Sequence, residues 1–337
     1  MKNKMVDHKK LNMKKANFYL DLFSNRKSSV LIFSFLILNT LLISNKVFAQ
    51  TEPMYSQYMY NMLGVNPAYA GNREATSVNF FQRRQWVGMA GAPQTTSVSV
   101  DGAAKDNIIG WGVQLYDDKI GVEKADGANL MLSSHVRVSE KGILSGGLSV
   151  GLMNYRIDLM NVQGRFTPSD PAFYANFNKW LPAVGLGIYY NTEKFYVGFS
   201  VPNVLKSRLS AFDVMNSGIQ KVNSTHMFLT TGYVFNVNEE VKIKPSTMIK
   251  AVSGAPIEAD INTNIWLKDL IGLGFSYRTG DAMIVMAEAQ INENLRVGYA
   301  YDMTISPLKY YNNGSHEMML RYEFGKNKSK VKSTRYF

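Results

Sequence analysis

The sequence contains no cysteine, which excludes a disulfide framework and a thiolate metal site. Histidine is scarce, with four in 337 residues. Three of them, His135, His226 and His316, lie far apart, and no His-x-x-x-His spacing occurs. Isolated histidines of this kind read as structural rather than as metal ligands. No Gly-rich phosphate loop or Walker pattern is present, so no cofactor is expected. The apolar runs stop short of the roughly 18–20 residues that a membrane-spanning helix needs. A hydrolase would need a nucleophile or a water activated by a histidine or a carboxylate pair. Asp117 and Asp118 are the nearest such pair, and neighbouring acids at a strand end are ordinarily solvated. The expectation is a chain that is not an enzyme.

The positive charge has a local origin. Residues 1–49 carry nine of the 37 basic and two of the 26 acidic residues, leaving 28 against 24, a net +4. The headline +11 is therefore no sign of a nucleic-acid partner. Residues 1–49 read as a signal peptide: a Lys-rich start, Arg26-Lys27, an apolar run from Val30 to Ile43, then Val47-Phe48-Ala49 with cleavage expected after Ala49.

What the chain does have is alternation. The last run, from Gly314 to Phe324, places His316, Met318, Leu320, Tyr322 and Phe324 on one face. Glu317, Met319, Arg321 and Glu323 lie on the other. A period of two is a β-strand with one apolar side. From Ala75 onward fourteen such runs follow one another, including Ile108–Tyr116, Ala128–Val138 and Leu181–Tyr190. Short polar connections alternate with a second set that includes the longer Arg83–Gln94, Asp117–Gly127, Arg156–Trp180, Pro202–Ser224 and Asp302–Gly314. Short turns on one side and longer loops on the other predict an all-β fold, a transmembrane antiparallel β-barrel of about 14 strands spanning residues 75–324 in outer-membrane lipid. An even strand number puts both chain ends on the short-turn, periplasmic side.

In the second half of the barrel, Lys242, Lys244, Lys250, Arg278, Arg296 and Arg321 face inward. So do Glu258, Asp260, Glu288, Asp302, Glu317 and Glu323, which predicts a self-neutralising, filled lumen. Trp266 also falls on the inward face. Two aromatic belts are expected, with Tyr116, Trp180, Tyr277, Tyr299 and Tyr301 towards the loops and Trp111, Tyr190, Tyr233, Phe235, Tyr322 and Phe324 towards the turns.

Residues 50–74 form an aromatic, amide-rich arm with little charge, including Tyr55, Gln57, Tyr58, Asn61, Asn66, Pro67 and Tyr69. Two readings stand: an arm folded back against the barrel, or a lumen plug or periplasmic docking segment. Arg83, Arg84 and Trp86 form the sharpest local cluster, placed in the first long loop. They could grip an acidic partner or lipopolysaccharide phosphates, or form a rim of snorkelling arginines around a tryptophan. Phe166, Phe173, Tyr174 and Phe177 suit the long loops to protein contact. Residues 325–337 read as a basic C-terminal tail.

Four stretches in order carry a family resemblance: Tyr55-Ser-Gln-Tyr-Met-Tyr-Asn61, Asn66-Pro-Ala-Tyr-Ala-Gly71, Arg84-Gln-Trp-Val-Gly88 with Gly91-Ala-Pro93, and the closing run from Gly314 to Phe324. Together they resemble the PorP/SprF family, from about residue 52 to 324. The resemblance implies an outer-membrane β-barrel associated with type IX secretion and gliding motility. Its implied partners are a secreted cargo or surface adhesin, helped in its export or attachment, and peptidoglycan-linked or secretion-machinery proteins of the periplasm. No catalytic residues come with it. A general diffusion channel is the alternative.

Overall fold

The computed structural model describes residues 54–73, 75–104, 107–158, 176–205, 225–252 and 255–325. The signal-peptide reading, most of the two longest loops with Phe166, Phe173 and Tyr174, and the tail from residue 326 lie outside them. Fourteen antiparallel strands form one ring. They are β1 (Thr76–Arg84), β2 (Gln94–Ala103), β3 (Ile109–Ile120), β4 (Glu123–Arg137), β5 (Ile143–Ile157), β6 (Phe177–Asn191) and β7 (Phe195–Val201). There follow β8 (His226–Tyr233, continued by Phe235–Asn236), β9 (Val241–Val252), β10 (Glu258–Leu267), β11 (Ile271–Arg278), β12 (Ala282–Gln290), β13 (Leu295–Thr304) and β14 (Ser315–Phe324). Each strand pairs with its sequence neighbours, and β1 pairs with β14 from Thr76↔Phe324 to Arg84↔His316. A closed ring leaves no free sheet edge, which is what lets strands cross lipid with their backbone groups satisfied.

Alternation sets the two faces. On β11, Ile271, Leu273, Phe275 and Tyr277 are exposed while Gly272, Gly274, Ser276 and Arg278 are buried. Leu130, Leu132, Val150, Leu152, Leu186, Ile188, Ile261 and Val285 extend the outward apolar band. A continuous exposed surface of this kind would drive association in water, whereas lipid covers it. Trp111, Tyr233, Phe235, Tyr322 and Phe324 ring the turn side on the outside, and Trp180, Tyr277, Tyr299 and Tyr301 the loop side.

Four features depart from the sequence reading. Asp117–Gly127 is not a long loop, because β3 and β4 continue through it and meet at Gly121-Val122. Lys124 sits between Asp117 and Asp126, and Arg156 also pairs with Asp126, so polar side chains keep the strands regular past the end of the apolar band. Tyr116 belongs to the inner face rather than to a belt. It borders an interior cavity, and its ring lies against Gly127 of the neighbouring strand. Arg83 is in β1 rather than in a loop, and Phe177, expected in a long loop, begins β6 and packs against Tyr155 and Leu181.

Candidate functional site: the filled lumen

The lumen is occupied by the chain's own arm. Residues 55–73 are almost entirely buried, folded into short turns at Tyr58–Tyr60, Met62–Val65 and Pro67–Tyr69. Asn66 caps the last turn by accepting from the Ala68 N–H at 2.9 Å, and Pro67 starts it. The arm rises from Arg73, which pairs with Glu323 at the turn-side end of β14. Its described part reaches Tyr55–Ser56, level with Arg83, Arg278, Asp302 and Glu317 at the loop-side ends of their strands, and not on the turn side where the even strand number puts both chain ends.

The loop-side half of the arm meets a charged wall formed by β1, β10, β11, β13 and β14. The main-chain N–H groups of Ser56 and Gln57 donate to Glu317 Oε2 and Oε1, both at 2.8 Å. The Ser56 hydroxyl donates to Asp302 Oδ2 at 2.6 Å. It accepts from Arg83 Nη1 at 2.6 Å and Arg278 Nη2 at 3.4 Å. Arg83 bridges Asp302 at 2.7 Å and Glu317 at 3.1 Å, and Arg278 and Lys250 both reach Asp260 at 3.0 Å. Glu317 has no exposed surface. Charges this deeply buried persist because each faces an opposite charge and fixed donors. Lower down, Asn262 donates to the Tyr58 hydroxyl at 2.7 Å and Asn264 to the Tyr60 hydroxyl at 3.1 Å. Arg321 donates to Asn79 Oδ1 at 2.7 Å and to the Tyr60 carbonyl. Trp266 is inward because its indole N–H donates to Glu288, which also holds Arg296 at 3.0 Å.

The turn-side half meets a wall of small residues from β3 to β7. Gly110, Gly112, Ser133, Ser145, Gly147, Ser149, Gly185, Gly187, Gly198 and Ser200 face inward there. At Gly110 an added Cβ would overlap the Ala70 carbonyl, and at Gly147 it would overlap the Ala68 backbone. Asn66 Nδ2 donates to the Ile188 carbonyl at 2.9 Å. Ser200 and Ser133 donate to the Val65 and Ala70 carbonyls, each at 2.7 Å, and the Gly71 N–H donates to Asp101 at 3.2 Å. Tyr69 packs edge-on to Tyr189 with ring centroids 5.5 Å apart.

Tyr55, Gln57, Tyr58, Asn61, Asn66, Pro67 and Tyr69 are therefore gathered in one buried column. Arg83 joins them through Ser56. Arg84 does not: it is exposed on the other face of β1. Successive strand residues point to opposite sides, so the pair cannot act as one bidentate grip. Trp86, at φ 45°, is half-buried in the β1–β2 connection and donates its main-chain N–H to Ser315 Oγ at 3.1 Å. His316 touches Tyr299 and Tyr301 on the outer surface, with Met318, Leu320, Tyr322 and Phe324 exposed along the same face. His135 lies beside Ser133 Oγ and the Ala70 carbonyl, both at 2.9 Å, and His226 is buried on β8. Asp118 accepts from Thr95, and Asp117 pairs with Lys124. Sequence reasoning passed over Ser56, whose only signal was its place inside the motif, and the small inner wall, whose signal was glycine and serine at every second position of β5.

Two cavities of about 50 and 30 Å³ lie beside the loop-side half, lined among others by Tyr55, Val65, Gln114, Tyr116, Met248 and Lys250. They have room for a few waters and none for a permeating solute.

A family described as type IX secretion system membrane protein PorP/SprF matches residues 47–322. The chain belongs to this family. This PorP/SprF member is an outer-membrane barrel of the type IX secretion system. Comparison with curated proteins returns no match. Similar solved structures include the Ralstonia pickettii toluene transporter TbuX, at 10% identity and TM-score 0.44 over 84% of this chain and 96% of that one. Another is the Acinetobacter baumannii outer membrane protein Omp33, at 9% identity and TM-score 0.44 over 75% and 100%. A third is the CymD monoaromatic hydrocarbon channel, at 12% identity and TM-score 0.46 over 82% and 95%.

Proposed function

We propose that this barrel binds one secreted cell-surface protein, an adhesin, and helps export or anchor it, and that it is neither an enzyme nor a general diffusion channel. The observation that carries the reading is the seated arm. A lumen crossed by a segment hydrogen-bonded to both walls leaves little room for a solute path among the described residues, which favours a role for the surfaces at the barrel's ends. The loop side would meet the cargo. The turn side, where Arg73 and Glu323 lie, would meet periplasmic secretion or peptidoglycan-linked components.

The test is to extract the intact chain in mild detergent and identify what co-purifies, alongside the surface protein profile of a deletion strain. One or a few large surface proteins should co-purify and be missing from the deletion surface while other type IX cargo persists. An unchanged surface profile overturns the reading. Planar bilayers address the alternative: stepwise conductance by the full-length chain, unaltered by deleting residues 50–74, would make it a diffusion channel.

A further inference from the structure

The two halves of the arm are held by different kinds of contact. On the turn side, backbone lies against backbone: Ala68 and Ala70 fill space that a side chain at Gly147 or Gly110 would take. That fit is specific to this segment in this place. On the loop side the hold is through side-chain tips. Glu317 accepts two consecutive amide N–H groups, Asp302 accepts a hydroxyl proton, and Arg83 donates to the same hydroxyl. Those four contacts read only main chain and one small hydroxyl residue; the side-chain-specific contacts of this half are those of Gln57 with the Glu317 carbonyl and of the Tyr58 and Tyr60 hydroxyls with Asn262 and Asn264. The cavities border the arm at Tyr55 and again at Gly64 and Val65, just beyond Met62, and these three residues line both.

We propose that the charged loop-side end of the lumen is a receptor for a polypeptide turn, and that Met54–Met62 is its exchangeable built-in occupant. The ligand class is a peptide segment that presents two consecutive unpaired N–H groups with a serine or threonine at the first of them. It enters from the loop side, and the turn-side half of the arm stays in place as a floor. The partner thus gains a blind vestibule and not a channel. This deepens the cargo-binding reading and rests on it.

The probe is a fluorescein-labelled synthetic peptide of residues 54–65, titrated into the full-length wild-type protein in detergent and followed by fluorescence anisotropy. Saturable binding is expected. The same peptide carrying S56A should bind at least about tenfold more weakly, since a hydrogen bond to charged groups is lost. A peptide of residues 66–73 should not bind. E317Q in the full-length protein should weaken the 54–65 peptide, and if that variant fails to assemble, the peptide series on the wild-type chain decides alone. Absence of binding, equal binding of the two segments, or indifference to S56A overturns the inference. Cargo capture without peptide binding would sink this inference and leave the proposed function standing. Peptide binding by a chain that captures no surface protein would do the reverse.

Discussion

The two sides of the lumen wall hold one segment by opposite means. From β3 to β7 many inward positions are glycine or serine, so that at Gly110 and Gly147 the arm's backbone lies directly on the sheet, between larger inward residues such as Tyr189 and Tyr196. Around β1 and β10–β14 the inner face is crowded with arginine, lysine and carboxylates that reach across to the arm. The first wall works by shape, the second by charge. Shape complementarity has no long-range component and fails abruptly when a methyl group is added. A buried charge network tolerates some movement but fails badly when one member is removed, because its partner is then left uncompensated.

The largest effect is expected on the charged wall. Glu317→Ala leaves Arg83 without one of its two carboxylates and two amide N–H groups without an acceptor. A loss of about 3–5 kcal/mol is expected, read as a lower urea midpoint of the detergent-folded barrel. A midpoint unchanged within error would mean that the charges are not what secures this side. On the small wall, Gly147→Ala should remove about 1–3 kcal/mol, with the arm becoming sensitive to added protease while the ring keeps its β-sheet circular dichroism. If the ring unfolds together with the arm, the two walls are not separable. The smallest effect sharpens the comparison from outside. Lys268 and Glu240 pair at 3.1 Å, both well exposed at the turn side. Lys268→Ala should move the same midpoint by less than about 1 kcal/mol, since solvent screens an exposed pair.

The ring was legible in the sequence because a half-buried strand writes its two faces at every second residue. All fourteen runs became strands, and the balanced inner charges of β9–β14 were readable before any pairing was known. The reading faltered where lipid stops selecting apolar residues. Past Tyr116 the outward positions of β3 and β4 become polar, so a continuing hairpin resembled a loop. Arg83 and Arg84 were grouped as neighbours in sequence, whereas the pleat separates them. The site itself was only partly visible. The arm's composition marked it as unusual, but Ser56 and Gln57 meet Glu317 some 260 residues later in the chain. No local pattern encodes a contact at that separation. Its direction through the barrel, and the fact that β3–β7 is hollowed to receive it, follow only from the closed geometry.

The pairing of the first strand with the last has a consequence for biogenesis. The ring cannot shut until β14 is made, and β14 also carries Glu317 and Arg321, which fasten the arm. Sealing the cylinder and seating its contents are thus one event, completed by the final ten residues of the wall. A chain truncated before them would present the insertion machinery with both an open seam and an unsecured core.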